Sequence, residues 1–530
     1  MSKAERASLA VPWKDSASGV ARVLSASRRW ILAGAGVVIV GAILLLVRFF
    51  PFSEATVTES LRETFPSNVS IEHFRTIYFP HPGCRAEGVT FRSPSSPANS
   101  PPLATIQELA IDGNYADFLW RPHHVARVRL TGLRIQVPRL GHAGQFSGGY
   151  TDSRMTIGEL IADGALVEFA RTGGEPAVRF DIHELRLGDV SSKSGMSYRV
   201  AVRNPVPPGE IQSAGHFGPF QATAPGETPV SGTYLFERAD LGVFRGIAGL
   251  IDSQGKFSGS LGRIDVQGTT DSANFEVLRS GHAAPLSTRF QLVVNGLNGD
   301  VSLTNVSASY FNTAIRATGS VAGKKGSEGK FTSLDFTVRG GHIQDILRLI
   351  VRESRPPMSG ITNFSAHVTV PPEGKPFLQE VTLQGEFDIA DGHFENPPRQ
   401  ASVNDLSVTA RGEKKAKENG QEIPADTVAA HVHGTTSVHD GTATFSDLEF
   451  TIPGADANMH GTFSLLNEKI DLHGTVKMDA KFSQSTSGIK SLFAKVLDPF
   501  LNKKHGSVVP VLVDGTYSNP HFGVDLNPVK

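Results

Sequence analysis

Few residues in this chain are placed to do chemistry. In HVHGTTSVHDG, His431 and His433 fall on one face of a predicted strand with His439 and Asp440 close behind. Imidazoles and a carboxylate at that spacing could hold a metal ion, although the same run reads equally well as the polar face of a strand. GKKGSEGKF, residues 323 to 331, imitates a phosphate-binding loop. Its glycine spacing is wrong, and Phe331 stands where Ser or Thr should follow Lys330, so it reads as a hairpin turn. Ser487 and Lys490 match S-x-x-K, but they open an amphipathic segment and no supporting motif accompanies them. No Cys-His pair, Gly-x-Ser-x-Gly elbow or paired carboxylate is visible. The expectation is a protein without catalytic residues, resident metal or cofactor.

Cys84 is the single cysteine, so no intramolecular disulfide exists and the thiol is expected to pack as a small apolar group. Basic and acidic residues number 51 and 52, with no Lys/Arg block, which argues against a nucleic-acid partner. The 54 glycines and 32 prolines are spread along the whole chain and favour many strands and turns over long helices.

These residues sit in a succession of short alternating runs. Val57, Leu61 and Phe65 have near-helical spacing, and a short helix is expected around Tyr115 to Trp120. SPSSPANSPP, residues 93 to 102, reads as an exposed loop. VARVRLTGLRIQVPRL, MTIGELIADGALVEFAR and VRFDIHELRLGDV alternate as half-buried strands, with Asp163 and Gly164 as a hairpin turn. From about Gly232 a weak repeat of glycine, strand, turn and strand recurs at Gly255 to Gly268, Gly319 to Gly340, Gly385 to Phe394 and Gly461 to Gly474. Such hairpins cannot bury a face alone, so they stack into one elongated antiparallel sheet or form a string of sandwich domains. Two helices are expected between them, one on Leu241, Phe244, Ile247, Leu250 and Ile251 and one on Ile343, Ile346, Leu347 and Ile350. Residues 412 to 426 read as a solvated loop.

Near the C-terminus, IDLHGTVKMDAKF puts Ile470, Leu472, Val476, Met478 and Phe482 on one face of a strand, with Asp471, Thr475 and Lys477 on the other. At about 3.3 Å per residue it would run for roughly 40 Å. Met459, Phe463 and Leu465 alternate in the preceding strand, and these eight apolar residues are the candidate lipid-facing positions. An amphipathic helix carrying Ile489, Leu492, Phe493, Val496, Leu497, Phe500 and Leu501 follows, bent or ended by Pro499.

The other strong signal is at the opposite end. Residues 31 to 47, ILAGAGVVIVGAILLLV, have no charge and are long enough to cross a bilayer as a helix. Arg28 and Arg29 border this run, with Lys3, Arg6, Lys14 and Arg22 before them, which by the positive-inside rule holds the tail in the cytoplasm and sends the body across. FFPFSEATV offers no convincing cleavage site, so an uncleaved anchor is expected rather than a signal peptide.

The ending LFAKVLDPFLNKKHGSVVPVLVDGTYSNPHFGVDL, with its DPF, VPV, GT, NP and FGVDL, resembles the C-terminal signature of AsmA-like proteins. LIDSQGKFSGSLGRIDVQG resembles their glycine-rich hairpins. The resemblance implies a diderm envelope protein held in the inner membrane by one helix, with a periplasmic body of repeating β units curled into a groove. It also implies a part in outer-membrane biogenesis and lipid transport, with membrane phospholipid and envelope proteins as partners. The expected divisions are a tail at 1–30, an anchor at 31–50, a β-rich region at 53–230, hairpin repeats at 231–411 and an AsmA-like region at 427–530. The fold expected is mainly β, an elongated curled antiparallel sheet with few short helices after one transmembrane helix. A sheet with one long apolar face and few helices to cover it must curl on itself or hold something greasy. An anchored scaffold that binds an envelope protein and carries no lipid remains the competing reading.

Overall fold

A computed structural model describes residues 52–64, 67–93, 101–121, 123–137, 155–169, 177–221, 223–244, 246–324, 329–372, 376–411, 413, 427–479, 507–517 and 519–523. The apolar run at 31–47, Arg28, Arg29, Phe482 and the amphipathic segment at 489–501 lie outside them. Among the described residues no helix is long and apolar enough to cross a membrane.

The described chain is mainly β. Its 26 strands pair into one long sheet, accompanied by a few short helices. From Thr156–Phe169 onward, nearly every strand bonds antiparallel to the next. The strand Pro229–Asp240 passes through position 230 and bonds to neighbours on both sides.

The sheet is mixed rather than wholly antiparallel. His124–Thr131 and Arg134–Val137 form a broken strand interrupted at Gly132, and both halves run parallel to Thr156–Phe169. A parallel neighbour needs a long crossover, which residues 138 to 154 are long enough to supply. Gly132 takes a φ of +63°, and a Cβ there would strike the Gln107 side chain, so the break depends on glycine.

The expected Asp163-Gly164 turn is instead inside a strand, and so is the Asp-Gly pair of the repeat at Gly385 to Phe394. Asp163 and Gly164 lie within the continuous strand Thr156–Phe169, and Asp391 and Gly392 lie within Thr382–Phe394. Gly164 and Asp391 have φ of +66° and +53°. At the second site the ladder to the next strand shifts between Ile389 and Gly392, a bulge made by the same backbone geometry that a tight turn needs.

The helices Glu54–Thr64, Tyr115–Trp120 and Ile343–Ile350 stand where periodicity places them. The helix expected over residues 241 to 251 does not form. A single 3-10 turn, Leu241–Val243, is capped by the Asp240 carboxylate, which accepts from Gly242 N–H at 2.8 Å. Gly246 and Gly249 then take positive φ, and the apolar residues enter the strands Ile247–Ala248 and Leu250–Ser260.

The 40 Å C-terminal strand is also shorter than expected. Lys469–Met478 ends where its partner begins, because Ala455 pairs with Met478 and the preceding Pro453 and Gly454 form a turn. Asp479 N–H closes the end onto the Gly454 carbonyl at 3.0 Å.

Candidate functional site

Alternation and register together give the sheet two unlike faces. Along the central strands, one set of side chains is exposed and polar while the other is apolar and only half-buried. Cross-strand neighbours carry the apolar set from strand to strand. Phe257 faces Val266, Val266 faces Leu292, Phe290 faces Val306, and Val306 faces Ala317. Ala317 continues to Phe336, Phe336 to Ala366, and Phe364 to Phe387. An apolar residue inside a packed domain is normally buried, whereas most of these are only half-buried, and of the run only Phe387 packs into a helix-covered cluster.

Helices cover the described sheet in three places. Among the first strands, helix Glu54–Thr64 brings Val57 and Leu61 onto Val69, Val89, Phe91, Leu109 and Val128. Midway along the sheet, helix Ile343–Ile350 brings Ile343, Ile346 and Leu347 into a cluster with Met358, Phe387, Ile389 and Phe450. Its Asp345 points the other way and is almost fully buried, accepting from Asn312 N–H at 3.0 Å and Thr313 Oγ1 at 2.9 Å. The third cover is a helix with no counterpart among the helices expected from periodicity, Pro397–Ala410, which places Val403, Leu406 and Ala410 against Val428, Ile452, Ala455, Met478 and Val509.

The candidate positions therefore divide. Met459, Phe463, Ile470 and Leu472 share the half-buried face, since Phe463 pairs with Ile470 and Met459 with Gly474. Leu465 lies in the turn after the strand Ala455–Ser464, tied by its N–H to the Gly441 carbonyl at 2.8 Å. Met478 is buried beneath the helix Pro397–Ala410, and Val476 packs against the same cluster. The central residues Phe257, Phe290, Leu292, Val306 and Phe336 are not among the positions expected to face lipid, although the same alternation marks them.

Polar groups on the apolar face bond to one another. Tyr198 Oη meets Ser213 Oγ at 3.1 Å, Tyr234 Oη meets Ser253 Oγ at 3.2 Å, and Thr270 Oγ1 donates to Ser253 Oγ at 2.9 Å. Burial pushes both phenols above their ordinary pKa, partly offset by the serine hydrogen bonds. Hydroxyls satisfied in this way leave the surface greasy.

Ser487 and Lys490 lie outside the described residues, and the other residues singled out for chemistry have structural partners. His431 Nε2 lies 2.7 Å from Asp388 Oδ1 on the outer face, and His433 lies 3.8 Å from Glu386 and 3.9 Å from Asp388. His439 sits beside Asp440 at the far end of that strand. Among the described residues no group of three or more His, Cys, Asp or Glu is arranged to hold a metal ion. Lys330 donates to the Asn298 carbonyl at 2.8 Å and pairs with Asp300 at 2.5 Å, which holds the Asp300 carboxyl below its usual range. Strands Thr313–Gly323 and Lys330–His342 pair as the two arms of a hairpin across the glycine-rich run. Cys84 is buried, and desolvation pushes its thiol up to about 12.

Contacts far apart in sequence join opposite ends of the strands. Arg279, after the strand Arg263–Val277, reaches Glu468, before Lys469–Met478, at 3.4 Å. Arg399 stacks over the Tyr517 ring at 5.4 Å. Phe377 packs so closely on Gly246 that a Cβ there would lie 2.8 Å from the ring. No family model matches the chain, and no curated protein or solved structure is significantly similar to it.

Proposed function

We propose that this chain is a non-enzymatic protein of a diderm envelope, anchored in the inner membrane by residues 31–50, whose periplasmic body holds or transfers lipid along a β-groove in outer-membrane biogenesis. One observation carries the reading: an apolar face that passes from strand to strand, covered by helices in three places and left half-buried on strands such as Ala284–Val294 and Val301–Tyr310. Each acyl CH₂ moved from water onto such a surface gains about 0.8 kcal/mol, so a lipid tail is a chemically matched occupant. The contacts of Arg279 with Glu468 and of Phe377 with Gly246 support a sheet that coils, as a groove requires. The resemblance of the C-terminal region to AsmA-like proteins points the same way.

Native mass spectrometry of the full chain, released gently from membranes, tests the proposal. Diacyl lipid bound in defined stoichiometry supports the groove. A lipid-free protein with a stable protein partner supports the scaffold reading instead.

A further inference from the structure

The most exposed large apolar side chains among the described residues are Phe79, at 85%, and Trp120, at 83%. They belong to one corner. Phe79 lies in the loop between the strands His73–Ile77 and Gly83–Arg92, and Trp120 ends the helix Tyr115–Trp120. Gly113 N–H donates to the Pro82 carbonyl at 2.7 Å, and the Tyr115 hydroxyl donates to the Tyr78 carbonyl, which fixes loop and helix together. His81, two residues after Phe79, and Arg121 and His123, one and three residues after Trp120, are exposed, and Asp117 of the helix is half-buried.

The corner is also where the chain arrives from its N-terminal apolar run. Phe52 is buried there, its carbonyl 3.4 Å from Thr76 Oγ1, and its ring fills the space that a Cβ on Gly113 would occupy. Only Arg48, Phe49, Phe50 and Pro51 separate Val47, the end of the apolar run, from Phe52. Those five steps reach at most about 18 Å. A bilayer's polar region is roughly 5–8 Å deep on each side, so Phe52 is tethered within it or at most about 10–13 Å above it. Aromatic rings with a neighbouring cation are the side chains that partition to that depth.

We infer that Phe79 and Trp120 seat this corner in the headgroup region of the membrane from which the chain emerges. The inference rests on the anchor reading above. It adds a second attachment, which fixes the orientation of the first sheet edge against the bilayer.

The test uses the full chain in vesicles of phosphatidylethanolamine and phosphatidylglycerol whose acyl chains are brominated near the glycerol. The sequence has three tryptophans, at positions 13, 30 and 120, so the W13F/W30F variant reports Trp120 alone and the W13F/W120F variant reports Trp30 beside the anchor. The expected result is blue-shifted Trp120 emission that loses most of its intensity in brominated vesicles, as Trp30 emission does. Adding Phe79→Ser should weaken the Trp120 quenching. Quenching of Trp30 without quenching of Trp120 overturns the seating and leaves the anchor intact. Quenching of neither overturns both.

Discussion

Arg279 and Glu468 are 189 positions apart in sequence, and the guanidinium Nη2 lies 3.4 Å from the carboxylate Oε1. Their strands are ten steps apart in the sheet, which in a flat sheet would separate them by roughly 50 Å. The accumulated right-handed twist of the strands, sharpened by bulges, brings the two together.

This pair is expected to contribute to stability. The Arg279 side chain is only 13% exposed, and Glu468→Ala removes a charged partner from it. The loss should be about 1–3 kcal/mol, read as a lower denaturant midpoint for the full chain. An unchanged midpoint would mean that the contact does not hold the coil closed.

Asp345 is predicted to matter more than its helix position suggests. At 2% exposure its carboxylate joins the helix Ile343–Ile350 to Asn312 and Thr313. Asp345→Ala should cost about 2–4 kcal/mol by stranding those donors, and Asp345→Asn less. Equal midpoints for the two variants would rule out the hydrogen bonds as the cause.

Much of the architecture is legible in the sequence because side-chain alternation is set by the strand itself. Spacing alone puts Ile264 with Val266, and Phe290 with Leu292, on the same side of their strands. Two kinds of feature are not legible in this way. Asp163-Gly164 and Asp391-Gly392 specify a positive φ without saying whether the chain reverses, so bulge and turn look alike. The helix Pro397–Ala410 has only a narrow apolar line, Val403, Leu406 and Ala410, among polar residues, and its clearest signal is Asn396 before two prolines, a cap whose side chain accepts from Arg399 N–H at 3.2 Å. Without that helix Val476 and Met478 would stand on an open surface, whereas they lie under cover.

Val476→Trp is accordingly expected to overpack a closed cluster and destabilise the protein by about 1–3 kcal/mol, seen as a lower Tm. In the uncovered centre, Leu292→Glu should reduce co-purifying lipid, while Gln291→Glu, on the opposite face, should not. Equal lipid content in the Leu292→Glu and Gln291→Glu proteins would remove the central strands from the lipid path.

Cys84 should be inert in the folded protein. With its pKa pushed up to about 12, almost no thiolate exists at pH 8, and labelling by a disulfide reagent should be slow until denaturant is added. The folded thiol holds its proton more tightly than the unfolded one, whose pKa is near 9.0. Its contribution to stability is therefore full below about 9 and falls as pH rises toward 12. Rapid labelling of the native protein would contradict this burial.

In the proposed topology, orientation is set by charge in the N-terminal tail. A reporter fused after Lys530 should be active only on the periplasmic side, and Arg28→Glu with Arg29→Glu should mix the orientation. A cytoplasmic C-terminus in the unmodified chain would overturn the anchor assignment.

The central claim, lipid on the half-exposed face, is tested most directly by a photo-crosslinking amino acid placed in living cells. Positions 290 and 306 face each other on the apolar side, and 291 and 307 lie on the polar side of the same strands. Lipid adducts are expected at 290 and 306 and none at 291 and 307. Folded protein that gives no lipid adduct at 290 or 306, or equal adducts on both faces, would contradict it.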